Sequence, residues 1–309
     1  MRLSSIFTLL SLTAAISSGA CGDDGTQMPV DAAIKDIGFT KPTATLKANM
    51  ETAPDTWMEI GPANLACLNT PNADVATANL IVVDTKVEDF QSGNLVPNTT
   101  VTVFANQDSA SPFPGGPYVS SSTGATLSVM IPAGTKRFGY KMKNDNALDT
   151  LLLNQTLESP TLTPQMVGKI QSVSTATGAT LPALIGVSRT PGTGVLAGAV
   201  RDCSKKEMSN FIATVSSTPN TTTHLDGVDT YYFSSSVGLP VRHSQQDLSS
   251  KDGLFMAIEM APTPTAYVQV WGYPTQADLD ADNLKLIAQL QTQVVADTVI
   301  TGSYEPLRN

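Results

Sequence analysis

Short runs of alternating apolar and polar residues fill one long stretch of the chain. Leu80–Asp89, Thr99–Phe104, Leu127–Ile131 and Arg137–Met142 either alternate or are dense in β-branched residues. Glycine, proline and asparagine separate these runs at the spacing of turns, as in Gln91–Asn94. A two-residue period is the pattern of strands that bury one face, and regularly spaced short strands are typical of a sandwich. The pattern therefore predicts an all-β sandwich.

A second stretch, beginning at Val195, repeats the order of these signals. Gly198–Cys203 has the pattern of Thr85–Phe90. A serine-rich turn precedes the apolar strand Leu254–Ile258, as it precedes Leu127–Ile131, and both strands run into proline. The repeated order predicts a degenerate internal duplication. Chance similarity between two β domains is the alternative.

These residues also carry a family resemblance. The order is Val-x-Asp, a turn, a small-residue β run, Ser-x-x-Gly and an apolar strand ending at proline. It resembles the carboxypeptidase regulatory-like domain, a transthyretin-like β-sandwich found in tandem on bacterial surfaces. The clearer copy is Gly198–Trp271 and the weaker one is Leu80–Tyr140. Where the family usually has Gly-Ala before the second strand, the copies have Asn98-Thr-Thr100 and Asn210-Phe-Ile212. The resemblance implies an accessory or adhesive module, not an enzyme.

The residues between the two β stretches have a different pattern. Thr163-Pro164 could cap a short helix, with proline at the first helical position, and Met166, Ile170 and Val173 would share one face of it. We therefore expect two tandem transthyretin/Ig-like β-sandwiches joined by a connector with a short helix. The predicted segments are a signal peptide at 1–20, a lipidated tether at 21–45, a first sandwich at 46–160, the connector at 161–194 and a second sandwich at 195–309.

The N-terminal residues have the pattern of an export signal. Arg2 precedes the apolar stretch Leu3–Ile16, and small residues lead to Cys21. This stretch is too short to span a bilayer as a mature helix. The small-small-Cys ending resembles the lipobox of bacterial lipoproteins, which implies that Cys21 is lipidated. Ser18 stands where that family usually has leucine, so ordinary cleavage after Ala20 is the alternative.

Composition and the residues after Cys21 indicate a cell-envelope protein. Gly22, and not aspartate, follows the cysteine, which in many Gram-negative bacteria favours the outer membrane over the inner one. The polar residues that follow predict a flexible tether. A formal net charge of −9 argues against nucleic acid as a partner. We expect an outer-membrane lipoprotein, periplasmic or surface-facing, whose partners are the membrane through its lipid anchor and a polysaccharide or an envelope protein.

Cys67 and Cys203 are the two cysteines that remain if Cys21 carries lipid. In an oxidising compartment such a pair can form a disulfide, and two free buried thiols are the alternative. The bridge would tie the segment before the first sandwich to the start of the second.

No motif in the sequence points to catalysis, a metal or a cofactor. His224 and His243 are the only histidines, and neither is spaced from a cysteine or carboxylate as a zinc ligand would be. A Gly-x-Ser-x-Gly nucleophile turn is absent. We therefore expect no catalytic residues, no metal and no cofactor, and a non-enzymatic interaction or structural role.

Three aromatic residues are the candidates for ligand binding. Trp271 and Tyr273 lie near the end of a predicted strand, and Tyr231 precedes a second tyrosine, so alternation would expose one of the pair. Exposed rings could stack against sugars, although core packing is the more common fate of such residues. A carbohydrate-binding lipoprotein with Trp271 and Tyr273 as the stacking platform is therefore the alternative function.

Overall fold

The computed structural model describes residues 40–70, 75–124, 126–156 and 165–307, and these residues form an all-β protein with two short helices. Cys21, the export signal and most of the tether, up to residue 39, lie outside them. The strands are β1 Lys47–Ala53, β2 Thr56–Pro62, β3 Ile81–Asp89, β4 Thr100–Ala105, β5 Tyr118–Val119, β6 Leu127–Ile131, β7 Arg137–Lys143, β8 Asp149–Thr156, β9 Gln165–Ser172, β10 Gly194–Val200, β11 Glu207–Ser209, β12 Ile212–Ser216, β13 Asp229–Ser234, β14 Leu239–Pro240, β15 Leu254–Met260, β16 Thr263–Gly272, β17 Lys285–Val294 and β18 Thr298–Tyr304. The helices are α1 Thr175–Leu184 and α2 Gln276–Asp280.

The alternating runs of the sequence are strands, as predicted. In β6, Leu127, Val129 and Ile131 are buried while Ser128 is exposed, so the two-residue period sets which face meets the core. The same alternation places Val101 and Val103 of β4 in that core. This match between pattern and burial confirms the all-β sandwich class.

The two halves of the chain repeat one strand pairing. In the first half, β3 pairs antiparallel with β6 and parallel with β9, and in the second half β10 pairs antiparallel with β15 and parallel with β18. The facing sheets also correspond, since β4–β7–β8 and β12–β16–β17 are both antiparallel in chain order. This shared topology supports the internal duplication.

One sheet runs through both halves because β18 pairs with strands from each. It lies parallel to β10 on one side and parallel to β8 on the other, with Val299 opposite both Val195 and Thr150. The result is a nine-stranded sheet in the order β14-β13-β15-β10-β18-β8-β7-β4-β5. The segment that follows all other strands along the chain therefore joins the two sandwiches edge to edge.

Three apolar clusters pack on these sheets. The first fills the sandwich between β3–β6–β9 and β4–β7, and the second lies between β12–β16–β17 and the long sheet. The third covers the opposite face of the long sheet, where Val173 and Ile185 pack against residues of β10, β13, β15 and β18. The long sheet is thus covered on both faces in its second half.

The connector helix lies elsewhere than the sequence indicated. Residues 165–172, which include Met166 and Ile170, form β9 and not a helix, and Thr163-Pro164 lie outside the described residues. The segment pairs with β3 along its full length, so tertiary pairing overrides local helix signals. The helix α1 starts instead after Ser174, whose Oγ accepts a hydrogen bond from the Thr177 N–H at 3.0 Å and caps it.

The hairpin β1–β2 pairs with the second half of the chain. Lys47 and Asn49 lie opposite Ser209 and Glu207 of β11, although the sequence places residues 46–62 in the first sandwich. The described residues belong to one compact unit. The boundaries 46–160, 161–194 and 195–309 stay a prediction. Among the described residues, neither helix is long and apolar enough to cross a membrane.

Gly198, on β10, leaves room for two aromatic rings that pack directly against its Cα. A Cβ added there would lie 2.3 Å from Cε2 of Tyr304 and 3.0 Å from Cε1 of Phe255. Both rings are buried, with their centroids 5.4 Å apart. A side chain at position 198 would therefore displace the aromatic pair that packs beneath the centre of the long sheet.

Candidate functional site

A groove of about 320 Å³ lies on the face of the long sheet that also carries the third apolar cluster. Its floor is formed by alternate residues of β10 and β18, beginning with Val195 and Val299, while Leu196 and Ile300 point to the opposite core. The walls come from α1, β9 and β15. Ala197 and Ala199 have small side chains, so they leave space above the middle of the sheet, and this space forms much of the groove.

The two ends of the groove differ in chemistry. One end is apolar, with Leu148, Val173 and Leu181 beside the Val195–Val299 pair. The other end carries hydroxyl, amide and cationic groups, which are Tyr140, Thr301, Ser303, Gln171, Lys169 and Arg201. The lining therefore changes from apolar to polar along the groove.

Several polar groups at that end form ion pairs or hydrogen bonds with neighbouring side chains. The Nζ of Lys169 lies 2.8 Å from Oε2 of Glu88, and Nε of Arg201 lies 3.2 Å from Oε1 of Glu207. Burial raises the pKa of the Tyr140 phenol to about 12, and a hydrogen bond with Thr301 partly offsets that rise. The phenol therefore stays neutral at physiological pH. Lys169 has a half-exposed side chain, so the polar end reaches solvent.

Both histidines lie near one carboxylate. His243 Nε2 is 3.0 Å from Oδ2 of Asp229 and its Nδ1 is 3.4 Å from Oδ1 of Asp247, while its ring lies over that of Tyr231 with centroids 4.6 Å apart. Burial alone would raise the pKa of Asp229, but hydrogen bonding and charge from His243 outweigh it and lower the pKa. The sequence spacing gave no sign of this ion-pair cluster.

His224 lies close enough to feel the charge of Asp229. Burial lowers the pKa of His224 below its ordinary 6.5, and the nearby Asp229 only partly opposes that effect. Its Nδ1 accepts a hydrogen bond from the Val215 N–H at 3.3 Å. The imidazole is therefore a neutral structural group at physiological pH. Within the part of the chain that the structure describes, no set of three histidine, cysteine or acidic side chains is placed to hold a metal ion.

Asp252 is a buried carboxylate in the turn before β15. Its Oδ1 accepts a hydrogen bond from the Leu254 N–H at 3.1 Å, whereas Oδ2 is buried without a hydrogen-bond partner. Burial raises the pKa of Asp252 from 3.8 to about 7, although backbone N–H groups lower it slightly. Because the folded-state pKa lies above the unfolded one, the stability gained from the neutral carboxyl is complete below about pH 4 and is lost as the pH rises through 7.

The substitution Asp252→Asn is expected to stabilise the protein at pH 8 and to have little effect at about pH 4. The amide keeps the acceptor for Leu254 and removes the charge that burial disfavours. A pKa rise from 3.8 to about 7 corresponds to about 4 kcal/mol, and since local relaxation shares that cost we expect a gain of roughly 2 kcal/mol. Urea unfolding at both pH values measures it. The exposed Asp280→Asn is the matched control, and an equal gain at about pH 4 and at pH 8 would contradict the assignment.

The three aromatic candidates for ligand binding are core residues. Tyr231 and Tyr273 are 1% exposed and Trp271 is 9% exposed. The Trp271 Nε1–H donates to Thr214 Oγ1 at 3.1 Å, and the Tyr273 hydroxyl donates to Asp282 Oδ1 at 2.5 Å. The expected stacking platform is therefore not exposed, because β16 is covered on both faces and the polar tips of these rings find partners inside the protein.

The two remaining cysteines meet across the fold. A disulfide joins Cys67 to Cys203 with their Cα atoms 5.8 Å apart. Asp202 organises the same corner, since its carboxylate accepts hydrogen bonds from the N–H groups of Asn64, Ser204 and Lys206 at 2.8–3.0 Å. The bridge thus attaches the segment after β2 to the turn after β10.

Sequence reasoning did not find the groove. It is assembled from seven separate strands and a helix, and no local motif marks such a site. The one local sign was the run Ala197-Gly-Ala199, in which small residues interrupt an otherwise bulky strand. In a sheet, small residues mark a place where something approaches the backbone closely.

Comparison with known proteins gives distant structural likenesses. No family model matches the sequence, and no curated protein matches it either. Among solved structures, the shaft pilin SpaA from Lactobacillus rhamnosus GG is similar with a TM-score of 0.22 and 10% identity, over 75% of this chain and 98% of that one. A Streptococcal ancillary pilin is similar with a TM-score of 0.21 and 14% identity, over 74% of this chain and 62% of that one.

Proposed function

We propose that this chain is an exported, lipid-anchored protein of the bacterial outer membrane with a non-enzymatic interaction or structural role. The observation that carries the proposal is the disulfide between Cys67 and Cys203. Disulfides persist in oxidising compartments, which fits the export signal at the N-terminus. The bridge also leaves Cys21 as the one cysteine for lipidation, at the end of that signal.

The proposed mechanism is display of a rigid β protein at a membrane surface. Acyl chains on Cys21 hold the N-terminus, and stable anchoring needs two or more such chains. The polar residues that follow set the reach of the folded part. The duplicated sandwiches, joined through β18, present their loops and groove as one body. Carbohydrate binding through Trp271 and Tyr273 is not included, because both rings are buried.

Cells expressing the wild-type chain and supplied with an alkyne-tagged palmitate are expected to label it, and Cys21→Ser is expected to abolish that label completely. The thioether that starts lipidation can form only at the cysteine. Click chemistry after immunoprecipitation measures the label, and membrane fractionation shows whether the variant leaves the outer membrane.

Ser18→Leu is the matched control for the labelling experiment. It restores the residue that lipoproteins usually carry at that place, so labelling should persist or increase. A wild-type chain that is exported, cleaved after Ala20 and unlabelled would overturn lipid anchoring. A chain that remains in the cytoplasm with Cys67 and Cys203 reduced would overturn export as well.

A further inference from the structure

We propose that the groove described above binds an amphiphile with one hydrocarbon chain and a carboxylate head, such as a long-chain fatty acid. The groove stands on its own geometry, so this inference does not depend on where the protein is anchored. It follows from three features of the lining, which are the gradient of polarity, the space above the small residues and the unpaired hydrogen-bonding capacity at one end.

The register of the strands orders the lining along the groove. Val195 lies opposite Val299, Ala197 opposite Thr301 and Ala199 opposite Ser303. Each step of two residues is about 6–7 Å, so the polar pair lies about 13 Å from the apolar pair. A ligand lying along the strands would therefore meet hydrocarbon at one end and hydroxyl groups at the other.

The apolar end is closed by side chains that offer no polar partner to a ligand. Leu181 of α1 is 8% exposed and Val173 is 8% exposed, and both line the groove beside Leu148. Gly178 fits against this wall because a Cβ there would lie 2.5 Å from Cδ1 of Leu148. A hydrocarbon chain buried here gains the hydrophobic free energy with no polar group left unsatisfied.

The middle of the groove provides the space. Ala197 and Ala199 face it, whereas Val195, at the apolar end of the same row on β10, carries a bulkier side chain. A volume of about 320 Å³ is within the range of pockets that hold small molecules, roughly 300–1,000 Å³.

The polar end has hydrogen-bonding capacity that the protein does not use. The Ser303 hydroxyl is buried and has no hydrogen-bond partner among the described residues. Glu207 accepts from Nε of Arg201, and a guanidinium carries four further N–H donors in a planar fork that suits a carboxylate. Lys169 adds a second cation, paired with Glu88. A carboxylate head would satisfy Ser303 and share the two cations, which favours an acid over an alcohol.

The test is calorimetric titration of the full chain carrying Cys21→Ser, in detergent-free buffer, with decanoate, dodecanoate and tetradecanoate below their micelle concentrations. We expect saturable binding of one ligand per chain, with Kd falling about fourfold for each added methylene until the groove is filled. Ala197→Phe, which fills the floor, should raise Kd at least about tenfold. Val119→Phe, at an exposed position on β5, should leave it within about twofold.

The head group is tested with paired ligands. The double variant Lys169→Gln/Arg201→Gln should raise the Kd of dodecanoate about tenfold and change that of dodecanol less than about twofold. Lys143→Gln, which removes an exposed cation outside the groove, is the matched control. Each variant is used only if its unfolding midpoint matches that of the parent, and Ala199→Leu replaces Ala197→Phe if it does not.

Four outcomes would overturn the proposal. The first is the absence of saturable binding across the chain-length series. The second is binding that Ala197→Phe leaves unchanged, which would place the ligand elsewhere. The third is a dimer of the parent chain that Ala197→Phe converts to a monomer, which would make a second copy the occupant of the groove. Equal affinity for dodecanoate and dodecanol would reject the carboxylate head and so contradict the proposal as stated.

Discussion

Replacing both Cys67 and Cys203 by serine is expected to lower the free energy of unfolding by about 5 kcal/mol. The bridge joins residues 136 positions apart, and closing a loop of that length removes a large share of the unfolded chain's conformational entropy. The folded corner should survive the change, because Asp202 still accepts hydrogen bonds from the N–H groups of Asn64 and Lys206. The loss would therefore arise mainly in the unfolded state.

Guanidinium denaturation of the chain carrying Cys21→Ser, with and without a reducing agent, measures this effect. The reduced parent and the double serine variant should unfold at the same midpoint, since both lack the bridge. The double variant should not respond to the reducing agent, which makes it the internal control. A loss below about 1 kcal/mol would show that the bridge does not restrict the unfolded chain.

Trp271→Ala is expected to destabilise the fold by about 3–5 kcal/mol. The ring is 9% exposed on β16, and its Nε1–H donates to Thr214, which is fully buried. Truncation leaves a large cavity on the face of the β12–β16 pair and an unpaired hydroxyl inside the core. Trp271→Phe keeps most of the packing and loses the hydrogen bond, so we expect a loss of about 1–2 kcal/mol.

Trp57→Ala is the matched control for this prediction. Trp57, the other tryptophan, lies on the largely exposed strand β2, so its removal should cost less than about 1 kcal/mol. Urea unfolding followed by far-UV circular dichroism compares the three variants without relying on either tryptophan. The core assignment would be rejected if the Trp271→Ala protein kept the stability of the parent but no longer bound a glycan that the parent binds. Trp271 would then be a ligand-stacking residue.

The sequence predicted many of the strands because a strand with one buried face alternates apolar and polar residues with a period of two. The alternation in β6 predicts one buried face, and the structure buries its residues Leu127, Val129 and Ile131. Alternation failed at Tyr231 and Tyr232, where one exposed ring was expected and both are buried. That part of the sheet is covered on both sides, and a local period cannot report what packs on the far side.

The pairing between distant strands and the groove that depends on it could not be predicted, because a local pattern does not identify a strand's neighbour. The pairing of β18 with β8 links residues about 150 positions apart, and nothing in either strand specifies the other as its neighbour. The groove depends on that pairing, since Val299, Thr301 and Ser303 line it only when β18 lies in the sheet. The anchor residue Cys21, in contrast, was read from a local signal and stays a prediction.

The central position of β18 makes the order of synthesis matter for this protein. A chain that has been synthesised only as far as Asp297 lacks the strand that must lie between β10 and β8. Until residues 298–304 emerge, both neighbours keep unpaired backbone edges in the middle of what will become one sheet. Completion of the fold therefore waits for β18, and a chain cut short before it would fail in both halves at once.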